Sequence, residues 1–153
     1  QYLTSIFVCL SEKMMHPLIF VLGAVFCLMF DGVYAAVELS DDMKEMAKML
    51  HDQCVDESGV NAALIEPCSR GDFADDGNLK CYFKCIFANM GALSDDGELD
   101  TDAFESILPP DLHDPLSKMI NNCKDSKGAD ACDVAFNFNK CLYTTDPAHF
   151  LVI

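Results

Sequence analysis

The chain has 153 residues, of which 51 % are hydrophobic, which is enough apolar material for one folded domain and argues against wholesale disorder. Asp and Glu total 25 against 10 for Lys and Arg, and a formal net charge of -15 makes nucleic acid and anionic lipid surfaces poor partners. The same charge suits a protein that stays soluble at high concentration.

An apolar run near the N-terminus is typical of a signal peptide. The run 18–30 is too short to cross a bilayer comfortably, Lys13 precedes it, and small residues up to Ala35 provide a cleavage site. A membrane anchor is the alternative, which the length of the run argues against. The sequence starts with Gln1, so we interpret Met14 or Met15 as the initiator. The predicted organisation is a non-coding leader or gene-model artefact over 1–13, a signal peptide over 14–35 and one secreted domain over 36–153.

Helical spacing recurs in the first half of this domain, with no sustained strand alternation. Ser40 and Asp41 are expected to cap a first helix that Gly59 ends. Its predicted inward face consists of Met43, Met46, Ala47, Leu50 and Cys54. A short helix is predicted over 61–69, a break over 75–78, and a further helix whose apolar residues are Leu79, Tyr82, Cys85, Ile86 and Met90.

The second half is predicted to hold three more helices after a turn at 94–97. A short helix over 102–108 is stopped by Pro109 and Pro110, and Asp111 is expected to cap the next. That helix turns Leu112, Leu116, Met119, Ile120 and Cys123 inward, and the last one does so with Val134, Ala135, Phe138, Cys141 and Leu142. A non-helical tail starts at Pro147, so the pattern predicts an all-α domain.

The cysteines predict a disulfide framework in a secreted domain of this size. Without Cys9 and Cys27, which fall in the predicted precursor segment, seven of the nine cysteines remain. Cys81 and Cys85 lie one helical turn apart on one face, so they bond poorly to each other and are placed to tie their helix to two other segments. Sequence alone does not choose among the pairings.

The spacing of six of these cysteines is similar to that of a known family. The pattern Cys54-x26-Cys81-x3-Cys85-x37-Cys123-x8-Cys132-x8-Cys141, with related motifs at 50–54, 79–85 and 146–149, closely resembles that of insect odorant-binding proteins. The resemblance implies a compact array of about six helices stapled by three disulfides around an apolar cavity. It also implies the interlocked pairing Cys54–Cys85, Cys81–Cys132 and Cys123–Cys141.

Cys68 has no counterpart in the family pattern. We interpret it as a free thiol that is buried or half-buried. The alternative is an intermolecular bridge that makes a covalent homodimer.

The resemblance implies a carrier that binds a small hydrophobic volatile and delivers it through sensillar lymph to olfactory receptors by transient contact. It implies no catalysis, cofactor, metal or stable membrane association. The positions that it implies for the ligand pocket are Ile86, Phe87, Met90, Phe104, Leu108, Leu116, Met119, Phe136, Asn139, Leu142, Phe150 and Leu151. Asn139 is the polar member, which could donate a hydrogen bond to an alcohol, aldehyde or ester oxygen.

The apolar C-terminal tail resembles that of the mosquito-type branch of the family, in which a short segment closes over the pocket. This implies that His51 and Tyr82 hold the terminal carboxylate of Ile153 at neutral pH, and that acid protonates the carboxylate and frees the ligand. The alternative is that His51 is an ordinary histidine on a helix surface.

Two other functions remain open on the sequence: a six-cysteine carrier or scavenger of hydrophobic ligands outside olfaction, and a secreted interaction protein with a solid core. A phospholipase A2 interpretation of His51 and Asp52 fails because no glycine-rich calcium loop precedes them. The acidic turns at 72–77 and 95–97 lack the glutamate that an EF-hand requires, and the four histidines are too scattered for a zinc site.

Overall fold

The computed structural model of the chain describes residues 40–153. The predicted leader, the predicted signal peptide and the predicted start of the domain at Ala36 lie outside the described residues. Within 40–153, no helix combines the length and the apolar character that a membrane crossing requires.

Six α-helices and one 3₁₀ turn make up the described part of the domain. In chain order they are α1 (Asp41–Ser58), a 3₁₀ turn (Ala62–Leu64), α2 (Ile65–Cys68), α3 (Gly77–Asn89), α4 (Thr101–Ser106), α5 (Pro110–Cys123) and α6 (Ala131–Thr145). Extended pairing in this part of the chain is limited to an isolated bridge between Leu93 and Leu99. The predicted all-α class with about six helices is confirmed.

Short polar side chains begin most of the helices. Ser40 caps α1 as predicted, with its hydroxyl accepting from the amide of Met43, and Gly59 ends the helix in the left-handed region at φ 66°. The predicted break at 75–78 is instead the start of α3, because Asp76 accepts from the amide of Leu79 at 2.8 Å. A cluster of turn residues can therefore also act as a capping sequence.

The start of α5 corrects a second prediction. The helix begins at Pro110, one residue before the expected cap Asp111, and its N-cap is Pro109, which makes no side-chain hydrogen bond there. A proline is tolerated in the first turn because the amide that it lacks has no partner in the helix. Pro109 and Pro110 thus open α5 rather than close α4, which has already ended at Ser106.

The predicted inward face of α1 is only partly correct. Met46 is 62 % exposed, Met43, Ala47 and Leu50 are half-buried, and only Cys54 is fully buried. Burial increases toward the C-terminal half of α1, where this helix is bridged to α3. The first turns of α1 carry an apolar stripe without a covering partner among the described residues.

The core is built mainly between α3 and α6. Its fully buried side chains include Leu79 and Tyr82 on α3 and Ala135 and Phe138 on α6. One disulfide, Cys81–Cys132, joins α3 to α6 within this pair. Two more tie the pair to other helices: Cys54–Cys85 joins α1 to α3, and Cys123–Cys141 joins α5 to α6. These are the pairs that the family resemblance implies, and α3 is tied to two segments as the positions of Cys81 and Cys85 suggested.

Candidate functional site

The twelve predicted pocket positions fall on α3 and the residue after it, on the α4 segment (residues 101–108), on α5 and α6, and on the tail. Eleven of them are packed in or against the core. Six are buried: Ile86, Phe87, Met119, Phe136, Asn139 and Leu142. Five are partly buried against them: Met90, Phe104, Leu108, Leu116 and Phe150. The structure therefore brings residues that are distant in sequence to one interior region.

Leu151 is the exception, since 42 % of it is exposed. Phe150 and Val152, on either side of it, pack against the core together with Ile153. Leu151 is as apolar as its neighbours, so no signal in the sequence separated it from them.

Three phenylalanines from three helices meet at the centre of this region. The ring of Phe87 on α3 lies 5.7 Å from that of Phe104 on α4 and 5.3 Å from that of Phe138 on α6, and the last two rings are 6.2 Å apart. All three pairs have edge-to-face geometry, which is favourable for aromatic rings. A guest molecule in this region has to separate rings that now contact each other.

A second aromatic group fixes the tail. Phe150 lies 6.2 Å from Phe73 and 5.4 Å from Tyr143, measured between ring centroids. Phe73 also contacts Phe83 and Phe136 in the core. Neither Phe73 nor Tyr143 was predicted, because Phe73 lies in a loop without periodicity and Tyr143 follows the last inward residue expected on α6.

Gly71 allows Tyr143 to reach this position. The glycine has a φ of 84°, and a Cβ on it would lie 2.4 Å from the Tyr143 ring. Such an approach is open only to glycine, both for its backbone angle and for the missing side chain. Gly71 thus allows its loop to pack on the α6 residue Tyr143, whose ring in turn contacts Phe150 of the tail.

Asn139 has an unusual environment for a polar side chain. It is 4 % exposed, and among the described residues it is the buried polar residue of the core. Its amide nitrogen Nδ2 has no hydrogen-bond partner. Since an unpaired buried donor costs about 1–3 kcal/mol, Asn139 destabilises the packed interior unless something else accepts its hydrogen.

The three residues of the predicted latch lie in series. The Tyr82 hydroxyl donates to the main-chain oxygen of Ile153, and it lies 2.9 Å from Nδ1 of His51. The resemblance implies that His51 holds the carboxylate as well, whereas the hydrogen bonds here run from His51 through Tyr82 to Ile153. A phenol has a single hydrogen, so Nδ1 of His51 has to donate the second hydrogen bond.

Burial keeps the phenol in its donating form. Tyr82 is completely buried, and this burial raises the pKa of its hydroxyl well above the ordinary value. The hydroxyl therefore stays protonated throughout the physiological range. A side chain in this position can hold the end of the tail against α3.

Cys68 is a free thiol and is fully buried, which agrees with the preferred interpretation from the sequence. Burial, with a smaller effect of the Asp72 carboxylate, raises the pKa of the thiol to about 11. Its sulfur donates to the carbonyl of Leu64 at 3.4 Å. A bridge to a second chain would require this part of the domain to open first.

A surface cleft of about 430 Å³ lies at the segment between Met90 and Phe104. It is lined by Gly91, Leu93, Ser94, Glu98, Leu99, Asp100, Thr101 and Asp102, none of which was predicted to bind a ligand. The apolar cavity that the resemblance implies stays a prediction. Within the described part of the chain, no group of His, Cys, Asp and Glu side chains is arranged to hold a metal ion.

Comparison with known proteins gives a consistent result. The model of the PBP/GOBP family matches residues 36–145. General odorant-binding protein 69a of Drosophila melanogaster is 24 % identical over 106 residues, which cover 69 % of this chain and 72 % of that protein. The crystal structure of odorant binding protein 4 of the predator Chrysopa pallens is similar with a TM-score of 0.67 and 31 % identity, over 74 % of this chain and 99 % of that one. The fatty acid binding protein OBP56a from the oral disk of the blowfly Phormia regina has a TM-score of 0.57 and 28 % identity, over 71 % and 95 %.

Proposed function

The chain belongs to the PBP/GOBP family, and from this premise we propose that it carries small odorant or pheromone molecules through an extracellular fluid. Family and fold are those of carriers of hydrophobic ligands and not of enzymes. The observation that carries the proposal is the convergence of apolar side chains from α3, the α4 segment, α5, α6 and the tail on one interior region.

The chemistry of this region suits a flexible apolar guest. The residues proposed to bind the ligand are the twelve named above, of which Leu151 would contribute only after the tail moves. Met90 and Met119 can adopt new conformations at low cost, and the rings of Phe87, Phe104 and Phe138 can separate to admit a chain. Each buried ligand methylene contributes about 0.8 kcal/mol, so a medium-length alkyl chain can reach the roughly −8 kcal/mol of micromolar affinity after the costs of association.

Displacement of a fluorescent apolar probe by a panel of volatiles tests the proposal. The purified domain is expected to bind the probe and to release it to medium- or long-chain competitors. Phe104→Ala is expected to change the affinity several-fold, because it removes one of three contacting rings. Ile107→Ala is the matched control, since Ile107 is 48 % exposed on the same segment. Absence of probe binding would favour an interaction protein with a solid core.

We propose that the chain delivers its ligand through sensillar lymph to olfactory receptors, with which it makes a transient contact. A six-cysteine carrier outside olfaction would bind the same ligands, so binding assays do not distinguish the two roles. Antibody staining does: protein in antennal sensilla supports the proposal, and protein confined to other tissues contradicts it.

We propose that the contacts of Ile153 form a lid that opens in acid. In a protein that ends at Ile153, the oxygen that accepts from Tyr82 belongs to the terminal carboxylate. Acid removes the charge of this carboxylate and so weakens a charge-assisted hydrogen bond. The carboxylate is the group whose protonation opens the proposed lid. Ligand affinity is therefore expected to be highest at neutral pH and to fall as the pH decreases.

Deletion of Val152 and Ile153 tests the lid. The truncated protein is expected to bind probe with little dependence on pH, whereas the full chain releases it in acid. A truncated protein that still releases its ligand in acid would contradict the lid. Ile107→Ala, a change at an exposed apolar residue outside the tail, is the control that should keep the pH dependence.

Cys68 bears on the oligomeric state of the carrier. Its complete burial supports a monomer with a free thiol rather than a covalent homodimer. A non-reducing gel is expected to show monomer only, and a dimer band that disappears in Cys68→Ala would overturn this interpretation.

A further inference from the structure

We propose that Asn139 makes this carrier selective for ligands whose polar end is an uncharged oxygen acceptor without a hydrogen of its own, such as a ketone or an ester. The proposal rests on the carrier function proposed above and specifies the chemical class of the ligand. It starts from the buried amide nitrogen of Asn139, which has no hydrogen-bond partner among the described residues.

The neighbours of Asn139 on its own helix do not pair with its amide. One turn before and after it on α6 lie Ala135, Phe136, Leu142 and Tyr143; the first three have no polar side-chain atom, and Nδ2 makes no hydrogen bond to the hydroxyl of Tyr143. Phe138, directly before it, is completely buried. Folded proteins pair nearly all such groups, so an orphan donor at this depth indicates a partner that is supplied from outside.

Two lysine side chains lie at the edge of the apolar region around Asn139 and do not extend into it. Lys80 and Lys140 lie against the ring of Phe136, at 5.5 and 5.4 Å from its centroid. Lys80 is already paired with the carboxylates of Asp75 at 2.7 Å and Asp133 at 3.1 Å. The described core contains no buried cation that could neutralise a ligand carboxylate next to Asn139.

These observations predict an order of affinity for ligands of equal chain length that differ in their polar end group. A ketone or ester oxygen accepts from Nδ2 and brings no further polar hydrogen that needs a partner. An alcohol also accepts, but it brings a hydroxyl hydrogen into the apolar region, where an unpaired donor is costly. An alkane leaves Asn139 unpaired, and a carboxylate brings an unpaired charge, whose burial is the most unfavourable.

Four ligands of equal chain length test the ranking: a methyl ketone, a primary alcohol, an alkane and a carboxylate. They compete with the fluorescent probe at neutral pH. We expect the methyl ketone to bind about tenfold more tightly than the alkane, which corresponds to one satisfied donor, and to bind more tightly than the carboxylate. In Asn139→Leu, which has a similar volume and no polar group, the ketone and the alkane are expected to bind equally.

Asn137→Leu is the matched control. Asn137 lies on the same helix but is exposed, and its amide donates to the carbonyl of Lys127 at 2.8 Å. This variant should keep the preference of the wild type. The melting temperature without ligand is a second measurement: Asn139→Leu should melt at the same or a higher temperature, because it removes an unpaired buried donor. A purely structural role of Asn139 predicts the opposite, a lower melting temperature.

The outcomes separate this proposal from the carrier function. If the wild type binds the ketone and the alkane equally, the role of Asn139 is wrong and the carrier function stands. If none of the four ligands displaces the probe, the carrier function itself fails. If the carboxylate binds most tightly, and still does so in Asn139→Leu, the proposed ligand class is wrong.

Discussion

The first turns of α1 and the middle of α6 have similar sequence patterns and different environments. Both helices carry an apolar stripe at helical spacing, yet Met46 on α1 is largely exposed and Phe138 on α6 is completely buried. The crosslinks of the two helices differ in the same direction. α6 is bridged near both ends, through Cys132 and Cys141, whereas α1 is bridged only through Cys54 near its C-terminal end. A stripe indicates which face of a helix can be buried, and we expect the crosslinks to contribute to how much of it is buried.

The largest effect is expected from a matched pair of substitutions in these two regions. Phe138→Ala should lower the free energy of unfolding by about 3–5 kcal/mol, because it removes a ring that contacts Phe87 and Phe104 and leaves a cavity. Met46→Ala should change it by less than about 0.5 kcal/mol, since an exposed side chain loses little on truncation. Urea unfolding of both variants measures the difference. Equal losses would mean that α1 has a packing partner in solution.

The next prediction concerns the crosslink of α1. The double variant Cys54→Ser, Cys85→Ser should lose about 2–4 kcal/mol of stability, because the unfolded chain gains freedom when a bridge is removed. Hydrogen exchange should then show lost protection along α1, with α6 still protected by its two bridges. Uniform loss of protection in both helices would contradict the idea that each crosslink orders its own helix.

The sequence predicted the parts of the fold that depend on local patterns. Ser40 and Gly59 were correctly placed at the ends of α1, because capping and a left-handed backbone have residue-specific requirements. Two wrong assignments, the starts of α3 and α5, were local, because turn residues and prolines can begin a helix as well as interrupt one. The exposure of Met46 depends on tertiary contacts, since nothing near it in the sequence indicates that no helix covers it. The missing acceptor of the Asn139 amide is equally absent from the local sequence.

The same division holds for the candidate site. Helical spacing predicted which faces of α3, α5 and α6 point inward, and the family resemblance implied the twelve pocket positions, including those of the tail. Phe73 and Tyr143 were missed because their roles come from the approach of a loop, a helix end and the tail. The sequence indicates this contact only through Gly71, and the role of that glycine becomes clear only when the ring of Tyr143 is seen beside it.

Gly71→Ala tests this contact. The new Cβ would clash with the ring of Tyr143, and the backbone angle of 84° disfavours alanine, so a loss of about 1–3 kcal/mol is expected. The tail should loosen because Phe150 packs on the displaced ring. Faster proteolysis at the C-terminus checks this. Gly91→Ala is the control, since it has a similar φ of 72° and no atom within reach of its Cβ, so it shares the backbone strain without the clash.

The smallest effect is expected from the hydrogen bonds of Tyr82. Tyr82→Phe removes the donor to Ile153 and the partner of His51, which should cost about 1 kcal/mol at neutral pH and reduce the pH dependence of ligand binding. Tyr143→Phe, at a half-buried tyrosine of the tail contact, is the comparison variant that should keep this dependence.

The alkaline range gives an independent check on the same side chain. Burial raises the pKa of Tyr82 in the folded protein, so the folded state holds this proton more tightly than the unfolded state does. The resulting stability is fully present below the unfolded pKa of about 10 and is lost as the pH rises above it. Wild type should therefore lose more stability than Tyr82→Phe above about pH 10, as measured by urea unfolding across this range. Parallel loss in the two proteins would mean that the Tyr82 hydroxyl is exposed to water in solution, and the tail would then lack the buried donor that holds Ile153.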